Sequence, residues 1–147
     1  MANISITAAS VLASASAKTD SGILGETGTA GQPVYKNDAT GQDGRLYLGD
    51  ANGSPVTANI VGILLGGGGA GQPVTYVYED PDFTPGGTLS LSVAADSGVY
   101  VLSATAGAIA PMDDLAAGMY PVVLGVAKST TKMNLKIVKQ VSAVLAS

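Results

Sequence analysis

Val34-Tyr35, running on to Ala39-Thr40, is written a second time as Val99-Tyr100 running on to Ala104-Thr105. Further along, Ile60-Val61-Gly62-Ile63 is answered by Val123-Leu124-Gly125-Val126. The first anchors stand 65 residues apart (34 to 99) and the second 63 (62 to 125), a drift that turn insertions and deletions produce. Self-similarity at a nearly fixed offset marks one supersecondary unit used again. Here the unit is about half of a 147-residue chain, so it reads as a duplicated β-scaffold and not a long solenoid. One phrase does not obey that offset. Ala30-Gly31-Gln32-Pro33-Val34 recurs word for word as Ala70-Gly71-Gln72-Pro73-Val74, 40 residues on, and reads as a turn leading into a strand.

Working outward from these anchors, period and punctuation give a set of short strands. They are expected at 33–36, 45–48, 60–65, 73–79, 88–93, 99–102, 120–126 and 131–138. Turns separate them: 38–44 is rich in Asp and Gly, and Asn52-Gly53 favours positive φ. Glu79-Asp80-Pro81-Asp82 reads as a turn, and 112–117 as one helical turn. Residues 1–20 alternate weakly at Ile4 and Ile6, then dissolve into Ala and Ser; they read as an N-terminal arm. Residues 21–147 then form a single β-domain of two similar halves, about 28–80 and 96–140. The fold class expected is all-β, a small duplicated sandwich or barrel with an extended arm.

Composition agrees. Twenty Gly and seven Pro beside only 12% charged residues suit many short strands and tight turns, not amphipathic helices with charged faces. The longest apolar runs, 60–65 and 120–127, fall well short of the roughly 20 residues that cross a bilayer, so no membrane partner is expected. So little charge beside so much Ala, Val and Leu reads either as apolar surface covered by a partner or as a compact core under a weakly charged surface. The start of the chain has no cationic and apolar leader pattern, so nothing argues for export.

The residues missing from the chain restrict its chemistry. It has no Cys, hence no thiolate metal site or thiol nucleophile, and no His, the usual neutral-pH base and commonest metal ligand. No enzyme, cofactor or metal is expected on these grounds. Gly66-Gly67-Gly68-Gly69-Ala70-Gly71 formally fits a dinucleotide fingerprint, but strand sequence follows it where a helix is required, so it reads as a hairpin connection. Glu79, Asp80 and Asp82 could hold a hard cation, although their spacing matches no EF-hand loop. Asp38, Asp43 and Asp50 sit at turn positions, and Asp113-Asp114 suits a helix cap.

Charge is uneven. All eleven acidic residues lie at or before Asp114, leaving 1–127 with net −8, while Lys128, Lys132, Lys136 and Lys139 give the last twenty residues +4. That balance argues against nucleic acid, which selects a broad basic footprint. The four lysines read either as a docking patch for an acidic surface or as protection of an edge strand. Tyr76 and Tyr78 share one face of a strand, as a packed pair or as an oligomer contact.

The order of segments resembles the head-decoration, or capsid cement, proteins of tailed bacteriophages. The resemblance rests on Met1-Ala2-Asn3-Ile4-Ser5-Ile6-Thr7-Ala8-Ala9, Ala30-Gly31-Gln32-Pro33-Val34-Tyr35, Ile60-Val61-Gly62-Ile63 and Ala70-Gly71-Gln72-Pro73-Val74. It continues through Gly98-Val99-Tyr100-Val101-Leu102-Ser103-Ala104-Thr105-Ala106-Gly107, Ile109-Ala110-Pro111 and Val123-Leu124-Gly125-Val126-Ala127, nearly the whole chain. It implies a small β-tulip-like protein, often a homotrimer, bound to the outer surface of an expanded capsid after synthesis in the host cytoplasm. The partner implied is the major capsid (coat) protein, and the family carries no catalytic motif. The arm residues Ala2, Asn3, Ile4, Ser5, Ile6, Thr7 and Val11 would then add a strand to a coat-protein edge, with Ile4 and Ile6 as anchors. Two other classes stand beside this one: a receptor- or glycan-binding module of a virion fibre or bacterial surface, and a hydrolase working with carboxylates alone.

Overall fold

The computed structural model describes residues 3–38, 41, 44–52, 56–89, 91, 98–112 and 118–139. They are nearly all β and contain no α-helix; a 3-10 turn spans Ala8–Ser10. The strands are β1 (Lys18–Ile23), β2 (Pro33–Asn37), β3 (Arg45–Leu48), β4 (Ile60–Leu64) and β5 (Pro73–Phe83). They continue as β6 (Val99–Leu102), β7 (Ile109–Pro111), β8 (Val122–Ala127) and β9 (Met133–Lys139). All pair antiparallel in one curled sheet ordered β3-β2-β4-β5-β9-β8-β6-β7, with β1 beside β5. Outward from the β5–β9 pair, the order is the same series twice: β4, β2, β3 on one side, β8, β6, β7 on the other. Each series carries a bulge before a glycine. Val61 is left unpaired where Gly62 opposes Val34 and Ile60 opposes Tyr35; Leu124 is left unpaired where Gly125 opposes Tyr100 and Val123 opposes Val101.

The phrase repeated 40 residues apart has its own symmetry. In the β1–β5 ladder Ile23 opposes Pro73 and Gly22 opposes Val74; in the β4–β2 ladder Ile63 opposes Pro33 and Gly62 opposes Val34. Adding 40 to Gly22 and Ile23, and subtracting 40 from Val74 and Pro73, turns the first ladder into the second. At the centre, the Gly28 and Gly68 amides each donate to the other's carbonyl at 3.0 Å. Both turns need a residue at positive φ, supplied by Gly31 (+94°) and Gly71 (+89°). The Gln32 Oε1 accepts from the Thr29 amide at 2.8 Å, and the Gln72 Oε1 from the Gly69 amide at 2.6 Å. The repeat reaches further back than the phrase itself, through Gly22-Ile23-Leu24 and Gly62-Ile63-Leu64.

Two cores follow from the curl. Strands β2, β4 and β5 are buried on both faces: Val34, Leu64, Val74 and Tyr76 meet Leu24 and Leu46 in a small core, while Tyr35, Ile63 and Val77 face a larger one. The first half nearly closes on itself, since Leu24 bridges Leu46 and the Gly25 amide donates to the Leu46 carbonyl at 2.8 Å. The larger core is completed by Tyr100, Leu102, Val122, Leu124, Met133 and Leu135 from the second half. In that half β6 and β7 are buried almost throughout, Val101 and Ala110 included, whereas β8 and β9 bury one face and turn the other outward.

Three expectations change. The Asp80-Pro81 segment is no turn: β5 runs on through Phe83, with its register shifting between Asp80 and Phe83. A bulge is a place where a sheet tolerates proline, because the ladder is already interrupted there. Strand β1 begins in residues read as arm and lies outside every expected strand, and its polar, exposed sequence carries little apolar alternation to betray it. Thr88, Leu89 and Leu91 are outside any strand; Leu89 is buried and its amide donates to the Thr130 carbonyl at 2.8 Å. The helical turn expected at 112–117 and the pair Asp113-Asp114 lie almost wholly outside the described residues, which take in only Met112.

Candidate interaction surface

The arm lies against its own domain. The Ile4 amide donates to the Ile109 carbonyl on the β7 edge at 2.9 Å, and the Thr7 amide to the Gly86 carbonyl at 2.8 Å. Leu12 and Thr84 exchange both main-chain bonds, at 3.0 and 2.9 Å. The Ser103 hydroxyl donates to the Asn3 side-chain oxygen at 2.6 Å. Ile4 and Ile6 are half-buried against the larger core and Val11 is buried in it, whereas Ser5, Thr7 and Leu12 are exposed. Ala2 lies outside the described residues. The arm can approach so closely because Gly86 and Gly87 lack side chains: a Cβ there would sit 2.7 Å from the Thr7 and Ser5 carbonyl oxygens respectively.

Asp80 fastens the inner end of the arm. Its carboxylate is fully buried and accepts from the Ser14 amide at 2.7 Å, the Ser14 hydroxyl, and the Asp82 amide at 3.0 Å. Three donors offset the desolvation that a buried carboxylate would otherwise suffer. The acidic run read as a cation candidate is therefore spread over separate tasks. Asp80 holds the arm, Asp82 meets the Lys128 ammonium at 2.6 Å, and Glu79 lies 3.4 Å from Lys18. Hydrogen bonding and charge from Lys128 hold the Asp82 carboxyl below its ordinary range. Among the described residues, no group of three or more carboxylates is placed to hold a metal ion.

The outward face of the second half is unusual for a sheet exposed on one side, where polar residues normally alternate outward. Here Val99 opposes Val126, and Val123 opposes Val138, across neighbouring strands. Val126 is 46% and Val138 54% exposed, and Val99 and Val123 are half-buried. Asn134 and Lys136 complete the face on β9, and Lys136 opposes Glu79 in the ladder. Of the four lysines, Lys128 also reaches the Pro81 carbonyl at 3.0 Å, Lys132 and Lys136 are exposed, and the Lys139 side chain lies outside the described residues.

The tyrosine pair divides. Tyr76 is 3% exposed in the small core with its hydroxyl 3.5 Å from Asp20, and Tyr78 is 41% exposed. Burial first, then the Asp20 carboxylate, raises the Tyr76 hydroxyl above its ordinary pKa. Two shallow clefts, of about 370 and 280 Å³, open beside Gly66–Gly67 and beside Gly86–Gly87. Their linings are small, hydroxylic and aliphatic, with neither charge nor aromatic ring. The valine face was legible in principle: in Asn134-Leu135-Lys136-Ile137-Val138 one alternate set ends on a valine, and Val123 and Val126 stand in a strand of known face. No signal in the sequence joined Ser14 to Asp80, 66 residues away.

Compared with known proteins, the chain matches no family model and no curated protein.

Proposed function

We propose that this chain is a structural virion protein that binds the outer surface of an expanded phage capsid and cements neighbouring coat subunits. The observation that carries the reading on the structural side is the outward valine face, which lies ready to lose water against a partner. It joins the resemblance carried by the sequence and the scarcity of charge across the chain. In this reading the work is done by interface area: protein that binds the expanded lattice and not the unexpanded one stabilises the former by linkage. A homotrimer spanning several coat subunits gains further through effective concentration.

The arm enters this mechanism as an exchangeable strand. Its bonds to Ile109, Gly86 and Thr84 are main-chain bonds, and a coat-protein edge offers the same kind. Addition to the coat thus trades one ladder for another, with Ile4 and Ile6 moving from the core to the partner. The exposed lysines Lys132 and Lys136 stand beside the valines as polar rim, and Tyr78 is a candidate contact between copies.

Co-sedimentation with expanded, undecorated phage heads tests the proposal. Saturable binding of the full chain is expected, falling about tenfold or more in a Val126→Lys/Val138→Lys variant, since each valine that reaches a dry interface contributes on the order of 1 kcal/mol. Deleting residues 1–11 separates the arm's share from that of the face. Absence of binding by the full chain to heads of its own phage overturns the reading.

A further inference from the structure

We propose that the arm is exchanged between copies of this chain, residues 3–14 of one copy occupying the cradle of the next. The cradle is a built site for an extended peptide. It offers the Ile109 carbonyl, the Gly86 carbonyl, both main-chain groups of Thr84 and the buried Asp80 carboxylate. It also offers an apolar seat for Val11, Ile4 and Ile6, and the floor at Gly86–Gly87 excludes any side chain. The occupant is fixed by this fit: a segment with amides at the positions of Ile4, Thr7, Leu12 and Ser14, and aliphatic side chains at those of Ile4, Ile6 and Val11. A second copy carries that segment.

The tether makes the exchange cheap in contacts. Between Ser14, held by Asp80, and Lys18, where β1 begins, lie only Ala15, Ser16 and Ala17. Ala15 and Ser16 are exposed, and their turn has one main-chain bond, from the Ala17 amide to the Ser14 carbonyl at 3.2 Å. Opening that turn lets the arm point away from its own domain. Every bond and apolar contact of the arm is then remade identically in the neighbouring cradle, the condition under which element exchange between protomers costs little. An empty cradle would leave the carbonyls without their amide donors, the Asp80 carboxylate with one of its three donors and the apolar seat open, so a copy whose arm has left draws in another. A ring of such exchanges closes without open ends. The inference does not rest on the capsid reading: it concerns the free protein.

The test uses full-length chains and the absence of native cysteine. Leu12 and Thr84 form a hydrogen-bonded antiparallel pair, whose Cα separation of roughly 5.5 Å suits a disulfide. A Leu12→Cys chain mixed with a Thr84→Cys chain cross-links in this way only if an arm sits in a neighbour's cradle. After concentration, mild oxidation and a denaturing non-reducing gel, the mixed pair is expected to exceed either same-variant pair at least fivefold. The Leu12→Cys/Thr84→Cys double variant is expected to give covalent oligomers that end in a closed ring. Mixed cross-linking no greater than that of the same-variant pairs overturns the proposal, as does a double variant that closes only within monomers at every concentration. A double variant that never closes overturns the cradle itself. Unmodified full-length chain that fails to bind heads, while the cysteine variants form mixed pairs, would leave the exchange standing and remove the capsid reading.

Discussion

Asp80 shows how one residue's surroundings decide its role. Beside Glu79, Pro81 and Asp82 it has the look of a cation ligand or a turn, yet the strand carries it inward to the arm. Replacing it with Ala leaves the Ser14 and Asp82 amides without their acceptor. The expected cost is about 1–3 kcal/mol, or a fall in Tm on the order of 5 °C for a chain of this size. Hydrogen exchange at the Leu12 and Ser14 amides should quicken more than exchange in β8; uniform quickening would mean that Asp80 supports the whole fold and not the arm. Tyr76 makes a prediction in pH. Its folded-state pKa is raised, so its neutral hydroxyl contributes stability that is complete below the unfolded value of about 10 and is lost as pH climbs through the higher folded value. Thermal melts between about pH 8 and 11.5 should show this alkaline loss. The Tyr76→Phe variant should show a shallower slope, with a remainder from Tyr35, which burial also raises.

At the scale of elements, the strands that the sequence shows plainly are those with something to bury. Arg45–Leu48 and Val99–Leu102 coincide with their expected limits, because their alternate residues enter a core. Lys18–Ile23 was hidden for the opposite reason: its partner β5 supplies the ladder, and its own side chains supply almost no apolar signal. The candidate surface followed the same rule, since Val126 and Val138 reveal themselves only once the inward face of their strands is known. The 40-residue echo marks a local two-fold, which gives its two glutamines the same turn-closing bond, Gln32 half-buried and Gln72 exposed. Gln32→Ala and Gln72→Ala should each cost about 0.5–1.5 kcal/mol by losing one side-chain acceptor. Urea midpoints should move by similar amounts at unchanged slope, and the double variant should be the sum of the two within about 0.5 kcal/mol. A large loss for one with none for the other would break the equivalence.

For the whole molecule, the proposed capsid role raises the question whether charge or apolar area would govern attachment. The exposed lysines lie on a chain of net charge −4, and surface attractions of that kind are screened within about 10 Å at 0.1 M salt. The valine face is not screened. Head binding should therefore weaken less than about threefold between 0.05 and 0.5 M salt, while the Val126→Lys/Val138→Lys chain stays weak throughout. A steep salt dependence would shift the contact to Lys132 and Lys136.

The small two-fold around Gly28 and Gly68 also bears on what happens when the chain is cut. A protease that opens the loop between Gly66 and Gly69 separates two pieces in sequence but not in space. Strand β1 of the first piece is laced along β5 of the second, β4 also borders β5, and the arm crosses from one piece to the edge of β7. A nicked molecule should therefore run as two bands in denaturant yet sediment as one particle in buffer. On that expectation the two pieces are held by the weave of β1, β4 and β5 and not by the covalent chain at that loop.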